Sequence, residues 1–134
     1  MPRIITEDMI EQAAVKQLVE VNKYDTINCF TPEKETLPDG TGRQNKKQVV
    51  LQNILFKKLC DINPTIPVAT IKTAAETLQY TPNTGDLMSI NCANYQMLRT
   101  GIIVDYEING RKESNRLDII DYKNPLNNNF TVAR

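Results

Sequence analysis

The most informative features of this sequence are the residues it lacks. It contains no histidine and no tryptophan, and its three cysteines include no Cys-x-x-Cys pair. A structural zinc site, which is built from cysteine and histidine, is therefore excluded. The cysteines lie far apart, at Cys29, Cys60 and Cys92, and an odd number at such spacing fits reduced thiols better than a disulfide framework.

Net charge and long apolar runs are missing as well. Sixteen Lys and Arg balance sixteen Asp and Glu, so the formal net charge is +0 and no global field draws the chain to nucleic acid or to an acidic membrane. The N-terminus has no apolar signal core, and no run approaches the roughly 18 residues of a membrane span. We therefore expect a cytoplasmic protein with no membrane partner. A length of 134 residues with 40% hydrophobic content suits one folded domain.

Helical periodicity fills most of the first hundred residues. Hydrophobic residues recur at helical spacing over four stretches, and these predict helices from about Glu7 to Asn22, from about Lys46 to Cys60, from Pro67 to a stop at Thr81-Pro82-Asn83, and from about Gly85 to Thr100. Asn63-Pro64 ends the second helix, because the residue before proline disfavours helical backbone. Asn91 interrupts an apolar face, so we expect its amide to be buried and bonded to neighbouring backbone.

A β-hairpin follows the helices. Residues 102–106 and 117–122 are β-prone, and Asn109-Gly110 between them supplies a two-residue hairpin turn. A hairpin alone is marginal in water, so the helices must cover its apolar face. A further short strand is predicted near Tyr24 to Phe30. The predicted fold class is α/β, with helices packed on a small, mostly antiparallel sheet.

The segment Asp39-Gly40-Thr41-Gly42-Arg43 is rich in glycine, but it is not a phosphate-binding loop, because no Gly-Lys-Ser/Thr follows. A flexible surface loop is the favoured interpretation. Arg43, Lys46 and Lys47 could contact a DNA backbone, and the alternative is that they are solvated residues at a helix start.

Glu11 is the candidate functional residue of the first helix. It shares a face with Val15 and Leu18, and Glu7 lies one turn earlier as a like charge. Two interpretations stay open: a carboxylate turned toward a metal or a basic partner, or a partly exposed helix residue with a nearby lysine.

The C-terminal part of the sequence carries a family resemblance. The run Leu117-Asp118-Ile119-Ile120-Asp121-Tyr122, leading into Asn124-Pro125 and Asn128-Asn129-Phe130, resembles the start of the nuclease domain of type I restriction enzyme R subunits. Further segments resemble the family in the same order: Thr6-Glu7-Asp8 with Ile10-Glu11, Val50-Leu51, Asn63-Pro64, and Asn91 with Leu98 to Gly101.

The resemblance implies a restriction-endonuclease-like domain at the front of a large motor subunit. Such subunits hydrolyse ATP to translocate DNA and cleave duplex DNA in complex with modification and specificity subunits. Their nuclease chemistry uses Mg²⁺ held by an Asp and by the Glu of a Glu-x-Lys motif. In the family these residues lie downstream of the Asn-Asn-x-Phe segment, and residues 1–134 do not contain them.

We therefore expect residues 1–134 to be the N-terminal segment of the nuclease domain, inactive by itself and without bound cofactor. Its full-length parent would be an ATP- and Mg²⁺-dependent deoxyribonuclease. Of the family's functional residues only an auxiliary metal-site carboxylate could map here, onto Glu11. We also expect dimerisation through an exposed sheet edge near Phe130 to Arg134.

Two other functions are compatible with the sequence. The first is a small self-contained interaction module, which suits the neutral charge and the lack of a catalytic cluster. The second is a standalone nuclease that uses Glu11, Asp105 and Glu107, but no lysine is placed to complete its site.

Overall fold

The computed structural model describes residues 4–33, 36–79 and 85–134. The helices and strands follow in the order α1 (Glu7–Glu20), β1 (Asp25–Ile27), α2 (Gln52–Ile62), α3 (Val68–Gln79), α4 (Leu87–Thr100), β2 (Ile102–Ile108), β3 (Arg111–Leu117) and β4 (Thr131–Ala133), with a 3-10 turn at Pro125–Asn127. The predicted α/β class is thus confirmed. The predicted end of α3 at Thr81-Pro82-Asn83 lies outside the described residues. None of the helices in the described part is long and apolar enough to cross a membrane.

The chain forms two compact units, of which the first comprises Met1–Gln48 and Asn129–Arg134. Its helix α1 begins after Thr6, whose side-chain oxygen accepts a hydrogen bond from the Met9 N–H at 3.3 Å. This cap and the acidic residues of the first turn explain why the start of α1 is predictable from the sequence.

In the same unit, β1 and β4 pair in parallel, with Thr26 opposite Val132. The rings of Tyr24 and Phe130 stack beside this pair, with centroids 5.4 Å apart. One edge of β4, the strand predicted near Phe130 to Arg134, is paired with β1. Dimerisation through this strand stays a prediction.

The second unit, Val49–Asn128, contains the hydrophobic core. α2 and α3 pack together and against the β2–β3 hairpin, and the fully buried side chains are Leu59, Ile71 and Leu117. The hairpin turns at Asn109 and Gly110, where φ is 52° and 76°. Positive φ at both positions is typical of a type I′ turn, which the Asn-Gly pair favours.

Three details differ from the sequence-based expectations. α2 begins at Gln52 instead of Lys46, because the Arg43 guanidinium holds the carbonyl oxygens of Lys46 and Gln48 at 3.4 and 3.3 Å in a non-helical loop. The second strand of the hairpin is Arg111–Leu117, so the predicted strand at residues 117–122 is wrong except for Leu117. Asn91 is exposed and not buried, so it does not tie α4 to the core.

Candidate functional site

Glu11, the residue singled out by the sequence, lies in the middle of α1 and is exposed. Its carboxylate oxygen Oε2 accepts a hydrogen bond from Nε of Arg134 at 3.1 Å. The second guanidinium nitrogen, Nη2, pairs with the Asp8 carboxylate one turn earlier on the same helix. Glu11 therefore pairs with an arginine of the same chain, and both interpretations of its function stay predictions.

The parallel pairing of β1 and β4 places Arg134. Its backbone N–H donates to the Ile27 carbonyl at 3.0 Å, and its own carbonyl accepts from the Cys29 N–H. These bonds fix the backbone of Arg134 beside β1, so its side chain reaches α1 from a defined position. About a quarter of the side chain, 27%, is exposed.

An open depression of about 650 Å³ lies between α1 and the end of β4. Its polar wall is formed by Glu7, Asp8, Glu11 and Arg134, and Phe30 contributes to the apolar wall. Asp8 and Glu11 share the Arg134 guanidinium, and Glu7 adds a third carboxylate to the lining, which leaves the depression with an excess of negative charge. Such an excess weakly attracts cations, but it does not define a coordination site.

These residues do not fit a complete Mg²⁺ site. Across residues 4–33, 36–79 and 85–134, no group of three or more His, Cys, Asp or Glu side chains is placed to hold a metal ion. The Glu11 oxygen that could serve as a ligand is bound to Arg134, and a cation would have to displace that guanidinium. The role of Glu11 as an auxiliary carboxylate stays a prediction.

Asp105 and Glu107, the other carboxylates of the standalone-nuclease hypothesis, belong to the second unit. Both are exposed on β2, where Asp105 faces Ser114 and Glu107 faces Lys112 across the hairpin. The Glu107–Lys112 pair is an opposite-charge cross-strand pair, which stabilises a sheet by a few tenths of a kcal/mol to about 1 kcal/mol. The presence of Glu107 on β2 therefore has a structural explanation.

Asn63 of the Asn-Pro turn is buried and has a clear structural role. Its Nδ2 donates to the carbonyls of Leu59 and Asp118 at 2.9 and 2.8 Å, and its Oδ1 accepts from the Asp118 N–H at 2.8 Å. The side chain thus fastens the end of α2 to the residue that follows β3. The sequence pattern predicted the helix stop but gave no signal for these bonds.

The C-terminal motif is held by its own polar side chains. The Asp121 carboxylate accepts from the N–H groups of Lys123 and Asn124 and from the Asn127 side chain, at 2.9 to 3.1 Å. These hydrogen bonds, that of the Asn124 N–H above all, lower the pKa of Asp121. Asn128 bonds in both directions to the backbone of Asp121. The Asn and Asp residues of the motif therefore shape the turn that leads to Asn129.

The sequence pattern did not predict the role of Asp39. Its carboxylate is fully buried and pairs with Nη2 of Arg43 at 2.6 Å and with Nζ of Lys46 at 3.5 Å. Hydrogen bonds from the Thr41 hydroxyl and then from Arg43 hold the pKa of Asp39 well below its ordinary value. The expected flexible surface loop is therefore an ordered cluster around a buried carboxylate.

This cluster also contains two of the three basic residues considered for DNA contact, and the third, Lys47, is exposed. The side chains of Arg43 and Lys46 are 18% and 19% exposed, and both point their charge at Asp39. Lys46 also donates to the Thr31 hydroxyl at 3.0 Å. The sequence signal for the cluster is an aspartate followed by basic residues four and seven positions later, in a glycine-containing turn.

Comparison with known proteins agrees with the resemblance of the motifs. Residues 4–134 match the family described as type I restriction enzyme R protein N terminus. A curated relative from Methanocaldococcus jannaschii is 25% identical over 130 residues, which are 96% of this chain and 12% of the relative. Its name describes it, provisionally, as the endonuclease subunit of the type I restriction enzyme MjaIXP. The chain thus spans about one eighth of that relative's length, and no solved structure matches it.

The family match covers nearly the whole chain. Two of the segments that carry the resemblance have structural roles: Asn63 holds the end of α2, and Asp121 and Asn128 hold the turn at residues 121–128. This chain belongs to the family of type I restriction enzyme R protein N termini.

Proposed function

We propose that this chain is the N-terminal part of the R subunit of a type I restriction endonuclease, a larger protein that cleaves duplex DNA and translocates it with ATP. The observation that carries the proposal is the family match over residues 4–134. The relative that is named as an endonuclease subunit, and that is about eight times longer than the matched segment, supports it.

Within that subunit, residues 1–134 supply the front of a restriction-endonuclease-like nuclease domain. The buried side chains of Leu59, Ile71 and Leu117 pack α2, α3 and the hairpin into one core. The polar turn around Asp121 then directs the chain into β4, beyond which the family's metal-binding Asp and Glu-x-Lys are expected. Mg²⁺ supplies, when bound there, the charge stabilisation for phosphodiester hydrolysis.

Duplex DNA, a modification subunit and a specificity subunit are the proposed partners of the whole protein. ATP and Mg²⁺ are its proposed cofactors. The 134-residue chain alone is proposed to be inactive, because residues 1–134 contain no Glu-x-Lys motif and the Glu11 carboxylate is paired with Arg134.

A plasmid cleavage assay tests this function. The full-length subunit, mixed with its modification and specificity subunits, should linearise plasmid DNA only when both ATP and Mg²⁺ are present. The 134-residue chain alone should leave the plasmid supercoiled under the same conditions. Robust Mg²⁺-dependent cutting by the chain alone, abolished by Glu11→Ala, would show that the site is complete within these residues.

A further inference from the structure

The outer edge of β2 is free of strand partners in the described part of the chain, because the sheet that β2 forms with β3 has two strands. The two-residue turn makes Ile108 and Arg111 a hydrogen-bonded pair, and such pairs recur at every second residue of an antiparallel ladder. The residues whose backbone groups point away from β3 are therefore the alternate ones: Ile103, Asp105 and Glu107.

A groove of about 450 Å³ runs along this edge, between β2 and α3. Four consecutive residues, 102–105, line its strand side. Because side chains alternate between the two faces of a strand, consecutive residues can all line a groove only if the backbone edge itself forms the wall. The free N–H and C=O groups of Ile103 and Asp105 therefore face the groove.

The opposite wall of the groove is built from small residues of α3, among them Ala69, Thr73 and Thr77. The Thr73 hydroxyl donates to the Ala69 carbonyl at 3.2 Å, and the Thr77 hydroxyl donates to the Thr73 carbonyl at 2.9 Å. Their hydrogen bonds are thus satisfied within the helix. The wall leaves space beside β2 and does not supply the hydrogen bonds that the strand edge lacks.

The side chains along the edge determine which strand would fit. Asp105 and Glu107 are exposed on the outer face of β2, and β3 places a cation opposite Glu107 but only Ser114 opposite Asp105. An added strand would place its own residue directly opposite Asp105. A lysine or arginine at that position forms an opposite-charge cross-strand pair, whereas an acidic residue is repelled.

The same charges disfavour two registers in which a second copy of the chain could be the added strand. A two-fold antiparallel pairing that overlaps the whole of β2 places Asp105 opposite Asp105 of the copy. A shift by one hydrogen-bonded pair toward Glu107 places Asp105 opposite that carboxylate. Both registers set like charges against each other across the new ladder.

We propose that the open edge of β2 binds an extended peptide segment carrying lysine or arginine, which joins the β2–β3 sheet as a third strand. Main-chain hydrogen bonds to Ile103 and Asp105 hold the segment, and the pairing of its basic side chain with Asp105 selects it. This mode of binding needs neither the metal nor the nuclease chemistry, so its test is independent of the proposed function.

The probe is a fluorescently labelled peptide, acetyl-Thr-Lys-Val-Lys-Val-Lys-Thr-amide, titrated with the 134-residue chain and followed by fluorescence anisotropy at low salt. The matched peptide has glutamate at each lysine position. The wild-type chain should bind the lysine peptide more tightly, and Asp105→Lys should weaken that binding by about three- to tenfold while improving binding of the glutamate peptide. Asp61→Lys, the same charge change at an exposed position outside the groove, is the control and should have a small effect on both.

Backbone pairing is tested separately. Ile103→Pro removes one edge N–H that makes no bond to β3, so it should abolish binding of both peptides while the circular dichroism spectrum stays native. If that variant unfolds, a lysine peptide N-methylated at alternate amides tests whether binding needs backbone hydrogen bonds. This peptide keeps its charge but cannot form the hydrogen bonds of the ladder, so it should not bind.

Three outcomes would overturn the proposal. The first is lysine-peptide binding that responds equally to Asp105→Lys and Asp61→Lys, which would indicate non-specific charge attraction. The second is undiminished binding of the N-methylated peptide. The third is a dimer in light scattering that Ile103→Pro dissociates, which would identify a second copy of the chain as the occupant of the edge.

Discussion

Replacing Asn63 by alanine should destabilise the second unit without unfolding it. The substitution removes two hydrogen bonds that join the end of α2 to Asp118 after β3, and a third to the Leu59 carbonyl within α2. The Leu59 carbonyl keeps a partner, because the Asn63 backbone N–H also donates to it at 3.0 Å. The loss therefore falls on the N–H and C=O groups of Asp118.

The expected cost can be worked from these two groups. Each of the two bonds to Asp118 contributes about 0.5 to 1.5 kcal/mol net, so their loss lowers the free energy of unfolding by about 1 to 3 kcal/mol. A domain of this size has about 5 to 15 kcal/mol in total, so the variant should still fold. Asn63→Asp keeps the acceptor for the Asp118 N–H but sets a carboxylate oxygen against two carbonyl groups, so it should cost at least as much as alanine.

Urea unfolding, followed by circular dichroism, measures this cost. Asn53→Ala is the matched control, since Asn53 is an exposed residue of the same helix and alanine favours helix there. A loss in Asn63→Ala no larger than the change in Asn53→Ala would refute the reasoning that the buried amide fastens α2 to the hairpin.

Three further predictions concern Asp39, the two glycines Gly101 and Gly110, and the contact between Arg134 and Glu11. The pKa of Asp39 is lowered from 3.8 in the folded protein, so the carboxylate's contribution to stability is present above that pH and is lost as the pH falls below it. The urea unfolding midpoint should therefore drop more steeply below about pH 4 in the wild type than in Asp39→Asn. Equal slopes in the two proteins would contradict this. Gly101→Ala should lower the free energy of unfolding by about 2 kcal/mol or more beyond the loss in Gly110→Ala. Both glycines have a similar positive φ, 74° and 76°, but only at Gly101 would an added Cβ meet the backbone of β3. Equal losses in the two variants would contradict the clash. Arg134→Ala should lower the free energy of unfolding by no more than about 1 kcal/mol, because its pair with Glu11 is partly exposed, and a larger loss would show a structural role for that contact.

The sequence was a good guide wherever one short stretch decides the local structure. The start of α1 follows from the Thr6 cap, and the hairpin turn follows from Asn109-Gly110. The end of α4 at Thr100 agrees with the glycine that follows it, since Gly101 adopts a positive φ of 74°. In each case the residues that cause the feature lie within a few positions of it.

The features that the sequence did not predict depend on residues far apart in the chain. Glu11 and Arg134 are 123 positions apart, and Asn63 and Asp118 are 55 apart. Local propensity contains no information on such pairs. The Asp39 cluster is shorter in range, but glycine-rich composition favoured a flexible loop, and the burial of one carboxylate between two basic side chains decided otherwise.

The most direct test of the proposed R-subunit assignment is to purify the protein that contains this sequence from its native cells and to identify the proteins bound to it by mass spectrometry. The assignment predicts a DNA modification subunit and a specificity subunit, retained together through gel filtration. A subunit that purifies without either of them, although both are expressed in the same cells, would contradict assignment to a type I restriction complex and favour a self-contained interaction module.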